Sequence, residues 1–318
     1  MRTALGIGAL GLVVGVVAGC GDDAGGGSGS AGPTVVVTTS ILGDIVENLT
    51  ADSGVEVEVV MPLGADPHEF APSTREVESM SEADLLVVNG AGFEQGMADV
   101  LDRVVEGGTP TFALADHVEL LPFGLEHQDE EPGEAEDHDH DDDPHVWTDP
   151  TRIAGAVPAL VEALGEVEGI DAAVVEAAAD EYTAALEQLD ADITSALAPI
   201  PAEDRVLVTN HEVFGYFADR YDFEVVGTVI PSGTTLAEPS SGEIEDLAEV
   251  VAERGVPAIF AETTQSSRLA EALADSVGGD VEVVELYTES LGEPGSGAET
   301  YLDLMRTDAD LIADALAP

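Results

Sequence analysis

The sequence predicts an α/β protein of two βα lobes, each with a four-stranded, mainly parallel sheet, joined by one long backbone helix. Three observations predict it. Short β-branched runs alternate with segments of helical period, the pattern of parallel strands with crossover helices. The alternation occurs twice, once before residue 124 and once after residue 203. Between the two series lies one apolar stripe at helical spacing, long enough to run past both lobes.

In chain order, residues 1–19 read as a secretory signal. Arg2 supplies the charged start, and 4–19 are apolar or glycine throughout. That run is shorter than the roughly 20 residues of a membrane span. It ends in Val17-Ala18-Gly19-Cys20, which resembles a bacterial lipobox. Cys20 is the only cysteine, so an intramolecular disulfide is impossible and lipidation at Cys20 is the expected use. Residues 20–33 then read as the lipidated cysteine and a flexible Gly/Ser/Asp tether.

The N-terminal lobe is expected at 34–150, with strands at 35–38, 55–60, 85–88 and 111–113 and helices such as 41–49 and 93–105. Residues 124–144 interrupt it: they are dominated by Asp and Glu, carry His127, His138 and His140, and have no periodic apolar positions. That composition predicts a solvated loop. Linking helices are expected at 151–202. Asp171 is a candidate N-cap, and Val175, Ala178, Tyr182, Leu186, Leu189, Ile193 and Leu197 share one helical face before Pro199 and Pro201 end the run. About 27 residues at 1.5 Å each span roughly 40 Å. The C-terminal lobe at 203–318 has strands at 205–209, 224–229, 258–261 and 281–286, and helices at 244–254, 268–276 and 300–317.

The charge is extreme. Acidic residues number 66 against 9 basic ones, a formal −57, and every cation is an arginine. Such a surface repels nucleic acid and anionic lipid headgroups, so neither is an expected partner. It concentrates cations, and it also suits a salty medium that screens self-repulsion. Hydrophobic residues make up 44% of the chain, enough for a packed core and not the composition of a disordered acidic polymer.

Four metal-ligand types stand out by position: His68, His145, His211 and Glu289. At least three fall just past the ends of expected strands, where open α/β sheets place ligands. Two precede the long helix and two follow it, so a cleft between lobes is where they would meet. Asp-Pro-His occurs twice, at 66–68 and 143–145, and proline stiffens both loops. Asp66 and Asp143 are candidates to accept the second ring proton of the adjacent histidine. A loop histidine is also a common solvated surface residue, and from the residues alone both readings stay open. His117 reads as an ordinary histidine.

The motifs together resemble the metal-binding solute-binding proteins of zinc and manganese ABC importers, the ZnuA/TroA type. The resemblance rests on Asp66-Pro67-His68-Glu69-Phe70-Ala71-Pro72-Ser73, on Asp143-Pro144-His145-Val146-Trp147, and on Thr209-Asn210-His211-Glu212-Val213-Phe214-Gly215-Tyr216-Phe217. Its fourth block is Leu286-Tyr287-Thr288-Glu289-Ser290-Leu291-Gly292 with Thr300-Tyr301, and it runs from about Thr34 to the C-terminus. It implies that His68, His145 and His211 are ligands in an interlobe site. The fourth position, usually aspartate, is Glu289, one methylene longer, which coordinates directly or leaves its place to water. Glu262 matches another acidic position and is expected to support a ligand.

Members that carry manganese commonly have a carboxylate where His211 stands, so three imidazoles and one carboxylate favour zinc, with manganese the alternative. The resemblance also implies a cognate permease and its ATPase, membrane attachment only through the lipid, a monomer located outside the cytoplasm, and no enzymatic activity. The histidines of the acidic loop are an accessory zinc-collecting feature or a plain solvated face. Three other readings compete. A zinc hydrolase lacks support from any His-Glu-x-x-His helix. A siderophore or vitamin B12 binder calls for an aromatic-lined cleft, and aromatics are only 4% here. A metal-sequestering surface lipoprotein of the cell-adhesion type differs only in having no importer.

Overall fold

Val35, Val36 and Val37 are all fully buried in strand β1 (Thr34–Val37), and alternation sends them to opposite faces of its sheet. Val35 and Val37 join one apolar cluster, while Val36 joins another with Leu86, Val88, Met80 and Met97. A strand buried on both faces belongs to a parallel sheet with helices on each side. The computed structural model, which describes residues 32–123, 142–278 and 281–318, shows two such sheets.

The first lobe contains β1, α1 (Ser40–Leu49), β2 (Glu56–Val59), α2 (Thr74–Glu82), β3 (Leu85–Val88), α3 (Ala98–Glu106) and β4 (Thr111–Ala113). Its strand order is β2-β1-β3-β4, all parallel. Two helices then link the lobes, α4 (Pro150–Gly165) and α5 (Ala172–Leu197). The second lobe contains β5 (Val206–Thr209), α6 (Gly215–Tyr221), β6 (Glu224–Thr228), α7 (Ser241–Arg254), β7 (Ala258–Glu262), α8 (Arg268–Val277), β8 (Glu282–Leu286) and α9 (Tyr301–Leu316). Its order, β6-β5-β7-β8, repeats the first, again all parallel.

All eight expected strands are present within one or two residues. Helices α2 and α6 escaped the sequence reading. Helix α2 has a capping box, in which the Ser73 hydroxyl accepts from the Glu76 amide and the Glu76 carboxylate accepts from the Ser73 amide, but its interior buries only Met80. Helix α6 has seven residues, too few for a period to show. The helix expected from residue 93 begins as α3 only at Ala98, because Gly90, Ala91 and Gly92 all take positive φ and turn the chain first.

Helix α5 is capped by the Asp171 carboxylate, which accepts from the Ala173 amide. Its buried face is Val175, Ala179, Tyr182, Leu186, Leu189, Ile193 and Leu197; Ala179 takes the place expected for Ala178, which is half-buried. The helix packs on α1 of the first lobe, on α4, and on α9, which also lies against β8 of the second. One apolar cluster therefore runs unbroken from β1 and α1 through α4 and α5 to β7, β8 and α9. The leader 1–31, including Cys20, and residues 124–141, including His127, His138 and His140, lie outside the described residues.

Candidate metal centre

The carboxyl ends of the strands in both sheets face a common cleft, and the loops leaving them deliver the polar side chains. His68 comes from the loop between β2 and α2, His145 from the segment just before α4, His211 from the turn after β5, and Glu289 from the segment after β8. Their ligand atoms all lie within 4.8 Å of one another, and all four residues are buried. The Nε2 atoms of His145 and His211 are 3.3 Å apart. Glu289 Oε1 lies 3.0 Å from His68 Nε2, 3.4 Å from His211 Nε2 and 3.8 Å from His145 Nε2. Four donors placed tetrahedrally at 2.0–2.2 Å from zinc would stand roughly 3.3–3.6 Å from each other, a range that the 3.0–3.8 Å separations above bracket. The extra methylene of Glu289 thus does not hold its carboxylate away from the histidines.

Two ring orientations are fixed by buried carboxylates. Asp143 Oδ1 lies 2.7 Å from His145 Nδ1, and it also accepts from the His145 amide at 2.9 Å. Glu262 Oε1 lies 2.6 Å from His211 Nδ1, while its other oxygen accepts from Thr288 Oγ1 at 3.0 Å. A carboxylate on Nδ1 keeps that nitrogen protonated, so Nε2 is the nitrogen that can bind an ion once the ring is neutral. Asp66, whose sequence position matches that of Asp143, behaves differently. Its Oδ1 accepts from the His68 amide at 2.8 Å, its Oδ2 engages Thr235 and Gln265, and the His68 Nδ1 atom has no hydrogen-bond partner. The ring turns instead toward Phe93, 5.2 Å away in edge-to-face contact.

Electrostatics follow from these partners. Burial pushes the His145 imidazole below its ordinary value, outweighing Asp143. Burial acts the same way on His211, but there the Glu262 and Glu289 carboxylates win and hold the imidazole well above 6.5. Burial would raise the Glu289 carboxyl, yet His211 and His68 outweigh it and hold it well below the usual carboxylate range. Two buried polar atoms in the cage, His68 Nε2 and Glu289 Oε1, make no hydrogen bond despite their proximity. At 3.0 Å the two stand at ion-pair distance, and with the other two imidazoles they form a donor set whose chemistry suits a cation.

Several supporting residues carry no signal that reading along the chain would find. Glu94 is buried and accepts from Thr38 Oγ1 and the Asn89 and Gly90 amides, which fixes the turn that presents Phe93. The Asn89 side chain donates to the Pro144 carbonyl at 2.9 Å and so ties the His145 loop to β3. Trp147 Nε1 donates to the Thr288 carbonyl at 2.7 Å, beside Glu289. His117 stacks on Phe112 with its ring exposed, away from the cage.

The family model described as zinc-uptake complex component A, periplasmic, matches residues 35–315. The chain is 32% identical to the manganese-binding lipoprotein MntA of Halalkalibacterium halodurans over 303 residues, covering 95% of each protein. It is 32% identical to the zinc-binding protein TroA of Treponema pallidum over 289 residues, covering 90% of this chain and 89% of that one. The solved structure of the periplasmic zinc-binding protein TroA from Treponema pallidum superposes with a TM-score of 0.80 at 31% identity, over 90% of this chain and all of that one.

Proposed function

The chain belongs to the family of zinc-uptake complex component A proteins, and from that premise we propose that it captures zinc outside the cytoplasm as a monomer, held to the membrane by lipid on Cys20. Proteins of this family are non-enzymatic, substrate-binding components of metal ABC transporters, which work with a permease and an ATPase. The reading rests on one observation: three imidazole nitrogens and a carboxylate oxygen meet in a buried cage, with all four ligand atoms within 4.8 Å of one another. Glu289 turns one oxygen to the histidines while Thr264 Oγ1 donates to the other at 3.3 Å, so it offers a single donor. Three nitrogens and one oxygen suit four-coordinate zinc; manganese favours more oxygen donors. Glu289 also closes the position that a hydrolytic zinc site keeps open for water.

Manganese remains the second reading, because relatives of equal identity are named for it. Metal analysis of protein purified without chelator, followed by dialysis against equal zinc and manganese, separates the two. Retained zinc supports the proposal. A manganese complex that survives zinc competition moves the assignment to manganese, and protein that holds neither overturns both readings.

A further inference from the structure

We propose that Asp66 is a positioning residue that pins the His68 loop to the opposite lobe and thereby sets how fast the ion leaves. The inference rests on His68 being a ligand, as argued above. Of the three cage histidines, only His68 has a ring with no hydrogen bond at Nδ1. Its orientation therefore depends on where its loop sits. Asp66 decides that placement with one carboxylate. Oδ1 accepts from the His68 amide at 2.8 Å. Oδ2 accepts from Thr235 Oγ1 at 2.5 Å and from Gln265 Nε2.

Thr235 lies between β6 and α7, and Gln265 between β7 and α8, so both donors belong to the second lobe. Hydrogen bonds to a carboxylate are roughly twice as strong as neutral ones. Pro67 fixes its own φ between the two residues, so a displacement of Asp66 carries His68 with it. Besides the His68 contact with Glu289 inside the cage, the same loop is tied to that lobe by an uncharged bond from the Gly64 amide to Ser290 Oγ at 2.8 Å.

Position makes this tie the one that yields. The ties on the far side of the cage, Trp147 to Thr288 and the Leu291 amide to Ser40, are buried. Asp66 and Gln265 are only half-buried; Thr235 is itself buried, at 7% exposure, beside Leu236, which is 52% exposed. Water, or a partner pressing on this rim, reaches the Asp66–Gln265 half of the pin first, with Thr235 behind it. Once the pin opens, the loop carries the least-anchored histidine out of the cage, and three ligands remain.

The test uses Thr235→Val with Gln265→Leu, which leaves the ligand loop intact, alongside Asp66→Ala. Zinc release into excess chelator, followed by stopped flow, should quicken by about tenfold or more, the size expected for losing charge-assisted hydrogen bonds. Association should stay within about twofold, since the pin acts only once the loop is closed. In a His68→Ala background the same substitutions should leave release unchanged, which a general loosening of the fold would not. Hydrogen exchange of the 62–70 segment in metal-free protein should also rise in the variants, a readout that needs no metal. Release and exchange both unchanged in the variants overturn the pin while wild-type zinc binding stands. A wild type that binds no metal overturns the functional reading instead, and the exchange result then decides the pin alone.

Discussion

His211 Nδ1 and Glu262 Oε1 lie 2.6 Å apart, with both side chains shielded from solvent. The carboxylate is 51 residues away in sequence and also accepts from the His211 amide. Burial would push the imidazole down, but this carboxylate and Glu289 outweigh it and hold the imidazole well above its ordinary 6.5. A metal must displace the ring's second proton.

Zinc uptake at neutral pH should therefore release a proton from His211, and affinity should fall as pH drops, beginning above 6.5. Glu262→Gln removes the charge, lets burial push the imidazole down, and should reduce the protons released near pH 7. It should also weaken binding by about 10–100-fold, the usual cost of losing a partner to a metal-bound histidine. Titration calorimetry in two buffers of different ionisation heat counts the protons. Equal release from both proteins would refute the assignment of the proton to His211.

Among the described residues, Glu289 supplies the only carboxylate oxygen that lies near all three histidines. Glu289→Ala should cost more than about 100-fold in zinc affinity, in the same range as alanine at His68, His145 or His211, because it removes a donor and leaves imidazoles crowded without a counter-charge. Glu289→Asp should weaken binding by a smaller factor. Its backbone is tethered on both sides, by Trp147 to the Thr288 carbonyl and by Ser40 to the Leu291 amide, so a shorter arm has to pull away from the cage. Competition with a zinc-binding dye ranks the variants; a Glu289→Ala protein that binds like wild type would show that the carboxylate is a bystander.

Position past a strand end or in a proline-stiffened repeat makes the four cage residues candidates, and the resemblance of the four motif blocks then selects them as ligands. Their supports carry no such signal. Thr235 and Gln265 are ordinary polar residues whose role exists only once two lobes meet at Asp66. Glu94 is one acid among 66, and nothing in its neighbours marks it as buried. The two Asp-Pro-His frames read alike, yet one aspartate reaches its histidine ring and the other reaches across the cleft, because chain direction after the proline is set by tertiary contacts. The inner strands are readable because burial on both faces of a parallel sheet demands continuous β-branched runs, whereas the part-exposed edge strands, such as Glu56–Val59, are readable from their β-branched residues between turn signals.

Asp44 reports on stability rather than on metal. It accepts from the Tyr301 amide at 3.0 Å, and burial, with Glu47 and Asp303 nearby, pushes its carboxyl from 3.8 up to about 6. Between pH 4 and 6 the folded state thus binds more proton at this site than the unfolded chain does. The contribution is present at pH 4 and is lost as pH rises through 6. Asp44→Asn keeps an acceptor for Tyr301 without the charge. It should be more stable relative to wild type at pH 7 than at pH 4, by about 1–2 kcal/mol after allowance for partial exposure. Urea melts at the two pH values test this; a difference independent of pH would refute it.

Among the described residues, His68, His145, His211 and Glu289 form the cage, and Asp143 and Glu262 hold two of its rings without needing 126–140. A variant lacking 126–140 should therefore keep one tight zinc site. It should lose at most weak additional binding from His127, His138 and His140. Calorimetry distinguishes the classes, and loss of the tight site would assign the segment a part in building it.

Release should proceed without wide separation of the lobes. Binding proteins with flexible multi-strand hinges close by large rotations. Here the link includes α5, a helix of 26 residues whose buried stripe packs on α1, α4 and α9. Bending it would break backbone hydrogen bonds, and no proline or glycine in Ala172–Leu197 offers a kink. Opening the lobes would also split the apolar cluster that contains Val35, Leu186, Phe260 and Leu286 together, exposing surface whose burial is worth about 25 cal/mol per Å². Moving the His68 loop breaks far fewer contacts. Small-angle scattering of the variant lacking 126–140, with and without zinc, should give superimposable curves and an unchanged radius of gyration. A clear contraction on zinc binding would show that the lobes do swing and that the α5 stripe does not hold them.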